Sequence, residues 1–287
     1  MIIKAPASTA NLGPGFDSVG MAVSLYLKVE IIGKSEKWIV DHPFKGIPSD
    51  ERNMIVQVAL KTCSDLKPQR LKVTSNIPLS HGLGSSSSAI AAGIELANQL
   101  ANLNMSNEEK VELASQIEGH PDNVAPTILG GLVVGSMING HFDTVKLPLP
   151  PFDFVAYIPD YNLATKNARA VLPKEMAFSK ATYASSIANT FVASLAMKKY
   201  DQVGELMEAD HFHEPFRSEL VPELRQIREI GKKSGALATY LSGAGSTVMT
   251  VTDPEFTQDF IDDLRKNGLK ARVEKLNPDQ DGIQVIK

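Results

Sequence analysis

The sequence holds a single cysteine, Cys63, in 287 residues. No disulfide can close within the chain, so the fold has to rest on packing, as in a reducing compartment. Cys63 itself reads as a small buried hydrophobe. There is no apolar run of about 18 residues and no charged N-terminal region followed by an apolar one, which leads us to expect no membrane partner and a cytoplasmic protein. Dense Lys/Arg clusters are also missing. The 29 basic residues against 33 acidic ones leave a net charge of −4, which argues against nucleic acid as a partner. No fixed-period repeat or low-complexity tract is visible. What is left is ordinary globular composition, 43% hydrophobic and 22% charged, in a chain long enough for one or two domains with a substantial core.

The densest local signal is Pro78-Leu79-Ser80-His81-Gly82-Leu83-Gly84-Ser85-Ser86-Ser87-Ser88-Ala89. A strand-like run, Leu71 to Ile77, ends at Pro78, which cannot donate to a ladder. Gly82 and Gly84 free the backbone for close approach. The serines then open a helix with Ile90, Ile94, Ala97 and Ala101 at helical spacing. A helix start presents unpaired N–H groups and the positive end of a dipole, which suits phosphate. A serine-capped turn is the plain alternative. The stretch is no Walker A loop, since no Gly-Lys-Ser/Thr closes it, and Ser87 stands where a dinucleotide fingerprint needs its third glycine.

Two more stretches are rich in polar groups. Pro6 to Gly20 (PASTANLGPGFDSVG) has loop chemistry, anchored by Leu12 and Phe16. Glu118-Gly119-His120-Pro121-Asp122-Asn123-Val124 crowds a helix exit, where a C-terminal cap with solvated side chains would look the same.

Around these, the pattern predicts strands at Ile2–Ala5 (stopped by Pro6), Met21–Ile32, Trp38–Val40, Leu71–Ile77 and 130–138. Helices are predicted over Met54–Leu66 and, after a Ser106/Glu109 capping box, to about Glu118. Leu147-Pro148-Leu149-Pro150-Pro151 is the best domain boundary, giving domains 1–150 and 151–287. Beyond it, a strand at Asp153–Ile158, several helices, and a closing strand-turn-strand-helix-strand give a β-α-β-β-α-β order with extra helices, which is ferredoxin-like.

Taken together and in this order, the three polar stretches resemble the motifs of the galactokinase, homoserine kinase, mevalonate kinase and phosphomevalonate kinase superfamily. PASTANLGPGFDSVG is similar to the first motif in its homoserine kinase form, PLSHGLGSSSSA to the phosphate-binding second, and Leu241-Ser242-Gly243-Ala244-Gly245-Ser246 to the third. HPDNVAP, TKNARAVLP and HEPFR also look like the homoserine kinase form, so the resemblance spans the chain.

That resemblance implies an α+β fold: an N-terminal nucleotide domain with a left-handed βαβ crossover and a ferredoxin-like C-terminal domain. It implies ATP-dependent phosphorylation of the L-homoserine side-chain hydroxyl, in threonine biosynthesis. Arg169 and Arg217 would face the substrate carboxylate, a role that suits a guanidinium fork. Asn11, Asp17 and His120 would bind the amino acid, Asn123 would orient the hydroxyl, and Asp122 is a candidate base. Ser86 and Glu112 would hold Mg²⁺. Helical spacing sets Glu112 away from the stripe of Val111, Ala114 and Ile117, and Glu118 is nearer His120. The family pattern still favours Glu112, ten residues before Asp122, with Glu118 in reserve. Trp38 and Asn53 could border the adenine or simply pack and cap. Family members are often dimers, so a homodimer is allowed, with no interface identifiable.

Overall fold

A computed structural model describes all residues from Met1 to Lys287. In chain order the elements are β1 (Ile2–Ala10), β2 (Val19–Lys34), β3 (Ile39–Asp41), α1 (Met54–Thr62), β4 (Gln69–Ser75), α2 (Ser85–Ala101), α3 (Asn107–Glu118) and α4 (Val124–Leu129). They continue with β5 (Leu132–Ile138), β6 (His141–Leu147), β7 (Asp153–Ile158), α5 (Thr165–Ala170), α6 (Phe178–Ala196), α7 (Tyr200–Glu208) and α8 (Glu214–Arg217). The last are α9 (Glu223–Lys233), β8 (Ala238–Leu241), β9 (Val248–Thr252), α10 (Thr257–Lys266), β10 (Arg272–Leu276) and β11 (Gln284–Ile286).

The 16-residue strand β2 is the spine of the first sheet. Its Leu25, Leu27 and Val29 are buried while Ser24, Tyr26 and Lys28 face outward, the period-2 alternation of a half-buried strand. β1 runs antiparallel along it, β4 takes its second half, and β5 takes Val19–Met21. β3 and β4 are parallel and are joined through α1, the crossover that parallel neighbours require. β5 and β6 form a hairpin, so the order is β11-β1-β2-β4-β3 with β5 and β6 branching from β2. Contrary to the sequence expectation, β1 does not stop at Pro6. The β1–β2 register slips between Pro6 and Ala7, and such an irregularity tolerates a missing N–H. The first loop is therefore only residues 11–18.

The second sheet has the order β10-β7-β9-β8, with every neighbour antiparallel. Alternation along β7 divides its side chains between two layers. Val155 and Tyr157 pack with Leu224, Ile227, Phe260 and Leu264 of α9 and α10. Phe154, Ala156 and Ile158 face the other way and join a core that continues into the first sheet through Ile3, Val23 and Leu71. Trp38 belongs to that core and lines neither of the two cavities described below.

The sheets part at the proline-rich stretch between β6 and β7. The division into 1–150 and 151–287 needs correcting at its far end. After β10 the chain returns to the first sheet: Ser24 N–H donates to the Asn277 carbonyl, Asp279 N–H to that of Ala22, and β11 pairs with Ile2–Lys4. Asp279 fastens this strap, accepting the Tyr26 hydroxyl at 2.8 Å and the Gly282 amide at 2.8 Å. Burial and this acceptor push the Tyr26 phenol up to about 12. No helix is long and apolar enough to cross a membrane.

Candidate active site

The three polar stretches and both arginines converge on one pocket between the two sheets. Its lining includes Asn11, Asp17, Gly82, Gly84, Ser85, Ser86, Ser87, His120, Asp122, Asn123, Arg169, Arg217 and Gly243. Asn11, Leu12, Asp17 and Ser80 all have positive φ, between 47° and 72°. For non-glycine residues such backbone is strained and collects at functional sites.

One wall is the start of α2. Gly84 is its N-cap at φ 66°, with no side-chain capping bond, so the first-turn amides remain available. The serines divide their work. Ser88 is fully buried and donates to the Pro6 carbonyl at 2.8 Å, while Ser85 and Ser86 face the pocket. Ser87 donates to Glu118 Oε1 at 3.3 Å. Of the twelve positions expected at ATP, Pro78, His81, Leu83 and Ser88 line neither this pocket nor its neighbour. Leu83 is core, and both ring nitrogens of His81 face backbone carbonyls, those of Leu79 and Pro159. The neighbour is an apolar cavity, missed by sequence reading, lined by Leu27, Phe44, Met54, Val73, Ile77 and Leu79 and joined to the first through Ser80, Ser85 and Ser86. Asn53 borders it, but both ends of its amide are used, on Ile55 N–H and the Pro48 carbonyl.

The second wall follows Gly119, whose left-handed φ of 94° ends α3 and turns His120 to Asn123 into the cleft. His120 Nδ1 lies 2.5 Å from Asp122 Oδ1, which also accepts from Asn123 Nδ2 at 3.2 Å. Ser8 donates to Asn123 Oδ1 at 2.9 Å, fixing that amide. Burial works against the His120 cation, but Asp122 outweighs it and the imidazole is raised above its ordinary value.

The residue expected at the metal, Glu112, does not line this pocket. Glu112 accepts the Phe142 amide at 2.7 Å and the Gln116 side chain at 2.7 Å, tying α3 to the β5–β6 hairpin outside the pocket. Glu118, six residues on, lines the pocket beside Ser87. Burial lifts its carboxyl above the ordinary range. A spacing counted from Asp122 ignores that α3 ends at Glu118, so only its last residue reaches the cleft. The Asp17, His120 and Asp122 ligand atoms also lie within 4.8 Å of one another. A nitrogen ligand there suits Mg²⁺ less well than the oxygens of Ser86 and Glu118.

The third wall comes from the C-terminal half. Arg169 makes a bidentate pair with Asp17, at 2.8 and 3.1 Å. The resemblance gave these two residues separate roles, and the structure pairs them. Arg217 is 2% exposed. Its Nε donates to the Ala168 carbonyl at 3.1 Å, and Nη1 to the Gly243 carbonyl at 3.0 Å and to His213 Nδ1 at 3.2 Å. None of these partners is a carboxylate. Burial, followed by the nearby Arg169 charge, pulls the Arg217 guanidinium down to about 10.

Comparison with known proteins agrees with this arrangement. Residues 53–131 match the family described as GHMP kinases N terminal domain, and residues 191–273 match GHMP kinases C terminal. The chain is 61% identical to the homoserine kinase of Lactobacillus acidophilus over 287 residues, covering 100% of both. It is 56% identical to that of Limosilactobacillus fermentum over 285 residues, covering 99% of this chain and 100% of the relative. A crystal structure of homoserine kinase from Cytophaga hutchinsonii superposes with a TM-score of 0.87 at 29% identity, covering 100% of this chain and 97% of the other. With matches of this depth along its whole length, the chain belongs to the GHMP kinases, in their homoserine kinase branch, and has the two-domain α+β fold of that family.

Proposed function

We propose that this pocket transfers the γ-phosphoryl group of ATP to the side-chain hydroxyl of L-homoserine, giving O-phospho-L-homoserine for threonine biosynthesis. The observation that carries the reading is Arg217: a buried guanidinium with no carboxylate partner, across one pocket from a phosphate-cradling helix start. An uncompensated buried charge costs several kcal/mol, and an amino-acid carboxylate supplies the missing anion. Asp17 and Arg169, paired with each other, exchange partners for the substrate ammonium and carboxylate. The apolar cavity beside Ser85 and Ser86 takes the nucleoside.

Phosphoryl transfer depends mainly on positioning and charge stabilisation. The α2 amides face the phosphates, while Asn123, held by Ser8 and Asp122, orients the acceptor hydroxyl. Asp122 lines the pocket and its Oδ1 is shared by two side-chain donors, which leaves Oδ2 to accept the hydroxyl proton. The oxygen donors Ser86 and Glu118 fit Mg²⁺. When bound, the ion supplies charge neutralisation at the phosphates.

The reading is tested by ADP release with candidate alcohols. L-homoserine is expected to accelerate ATP consumption well above the rate without acceptor, and above that with mevalonate. Equal rates with and without homoserine would rule the proposal out.

The metal assignment has its own test. Glu118→Gln is expected to raise the Mg²⁺ concentration for half-maximal turnover by about 10- to 100-fold. Its thermal midpoint should hold, since a buried carboxylate is replaced by a neutral isostere. Glu112→Gln should leave the Mg²⁺ dependence unchanged, and the reverse ranking would restore Glu112.

A further inference from the structure

His213 is fully buried and lies behind the pocket wall. Arg217 Nη1 stands 3.2 Å from its Nδ1, and a guanidinium only donates, so Nδ1 presents its lone pair. The ring proton is then on Nε2, which donates to the Gly13 carbonyl at 3.0 Å. Asp210 Oδ2 lies 3.6 Å from Nε2, beyond hydrogen-bond length. It accepts the His213 and Glu214 amides instead, at 2.9 and 2.7 Å, which anchors the start of α8. One face of the imidazole stacks on Phe16, with centroids 5.3 Å apart and planes 21° apart. The same Phe16 ring lies 5.3 Å from the Arg217 guanidinium carbon and 5.8 Å from that of Arg169, within cation–π range.

We propose that His213, as the neutral Nε2–H tautomer, is a positioning residue for the amino-acid carboxylate site. It takes one Nη1 proton of Arg217 and grips the first loop at Gly13, so the guanidinium and the Asn11–Asp17 loop keep a fixed spacing although they come from opposite halves of the chain. The loop is held closely at Gly13 by a second element too, since a Cβ there would lie 1.9 Å from the Met207 carbonyl oxygen. A carboxylate in place of His213 would hold Arg217 equally well but would neutralise it. A neutral acceptor fixes the fork and leaves its charge for the ligand, with Nη2 the guanidinium nitrogen that has no hydrogen-bond partner in the protein.

This inference rests on Arg217 binding the substrate carboxylate. Its test pairs two variants with one spectrum. An Asn side chain keeps an acceptor near the Nδ1 position, while Gln keeps a donor near the Nε2 position. His213→Gln should raise the homoserine KM at least about tenfold, the cost of losing a hydrogen bond to a charged group. The ATP KM should be unchanged, and His213→Asn should recover part of the loss. Equal KM values in wild type and both variants would overturn positioning while leaving the proposed function intact, because wild-type turnover with homoserine tests that separately. Should the variants fail to fold, ¹⁵N-imidazole NMR of the wild-type enzyme decides. The His213 ring is expected as Nε2–H with an unprotonated Nδ1 at neutral pH, and an Nδ1–H or doubly protonated ring overturns the proposal.

Discussion

Arg217→Ala is expected to lower kcat/KM for homoserine by on the order of 30- to 5000-fold, the ~2–5 kcal/mol typical of truncating one partner of a buried charge pair. The loss should fall mainly on the homoserine KM, because Arg217 stands across the pocket from the α2 amides. Its side chain already gives hydrogen bonds to Ala168, His213 and Gly243. The fork is thus held in place before any ligand arrives, and little ordering entropy is left to lose on binding. Arg217→Lys keeps the charge but not this fixed geometry, and should lie between wild type and alanine. Steady-state kinetics with each substrate varied in turn provide the check. Unchanged homoserine KM and kcat/KM in Arg217→Ala would remove the residue from the site.

Gly84→Val should reduce nucleotide affinity by about a hundredfold or more, the scale of loss when a site is displaced by an ångström. Two effects add. The left-handed backbone at φ 66° disfavours any L side chain by roughly 1–2 kcal/mol. A Cβ would also lie 2.1 Å from Ser8 Oγ and 3.2 Å from Asn123 Oδ1, the two atoms of the bond that holds the amide proposed to orient the hydroxyl. The variant therefore disturbs the phosphate cradle and the acceptor site at once. Gly140 separates the effects, having φ 84° with nothing within 4 Å of its would-be Cβ. Gly140→Ala should show only a small loss of thermal stability and normal kinetics. Wild-type nucleotide binding by a folded Gly84→Val protein would dismiss the cradle.

Most of what the sequence could disclose was carried by short-range chemistry. The Ser106/Glu109 capping box is present with both of its bonds. Val111 and Ala114 are buried on α3 as their spacing implies, and the β-α-β-β-α-β order of the second half has the expected antiparallel sheet. The errors came where local rules meet tertiary context. Pro6 reads as a strand end because it lacks an N–H, but the slip in register beside it removes the need for one. Helix periodicity could place Glu112 and Glu118 on faces but not beside neighbours, and the β5–β6 hairpin that claims Glu112 was only half foreseen. α4 and α5, six residues each, are too short to show a period. The Asp17–Arg169 pair joins residues 152 apart, and no spacing rule reaches that far. The apolar cavity proposed for the nucleoside draws single residues from several elements, so no one stretch announces it. Gly119 is the available signal that Glu118 reaches the pocket, since it marks where α3 stops.

The return of the chain's last strand to its first has a consequence for how the molecule is made. Ile2 pairs with Ile286, so the edge of the first sheet stays open until β11 has been synthesised. The whole C-terminal half is in effect an insertion between β6 and β11, two strands of one sheet. Contacts of such long sequence separation slow folding, and domains that would otherwise fold in turn during synthesis must here wait for one another. The N-terminal half is therefore expected to remain incomplete on the ribosome, with β1 exposed as an unpaired edge. It should gain full resistance to protease only once residues 277–286 have emerged.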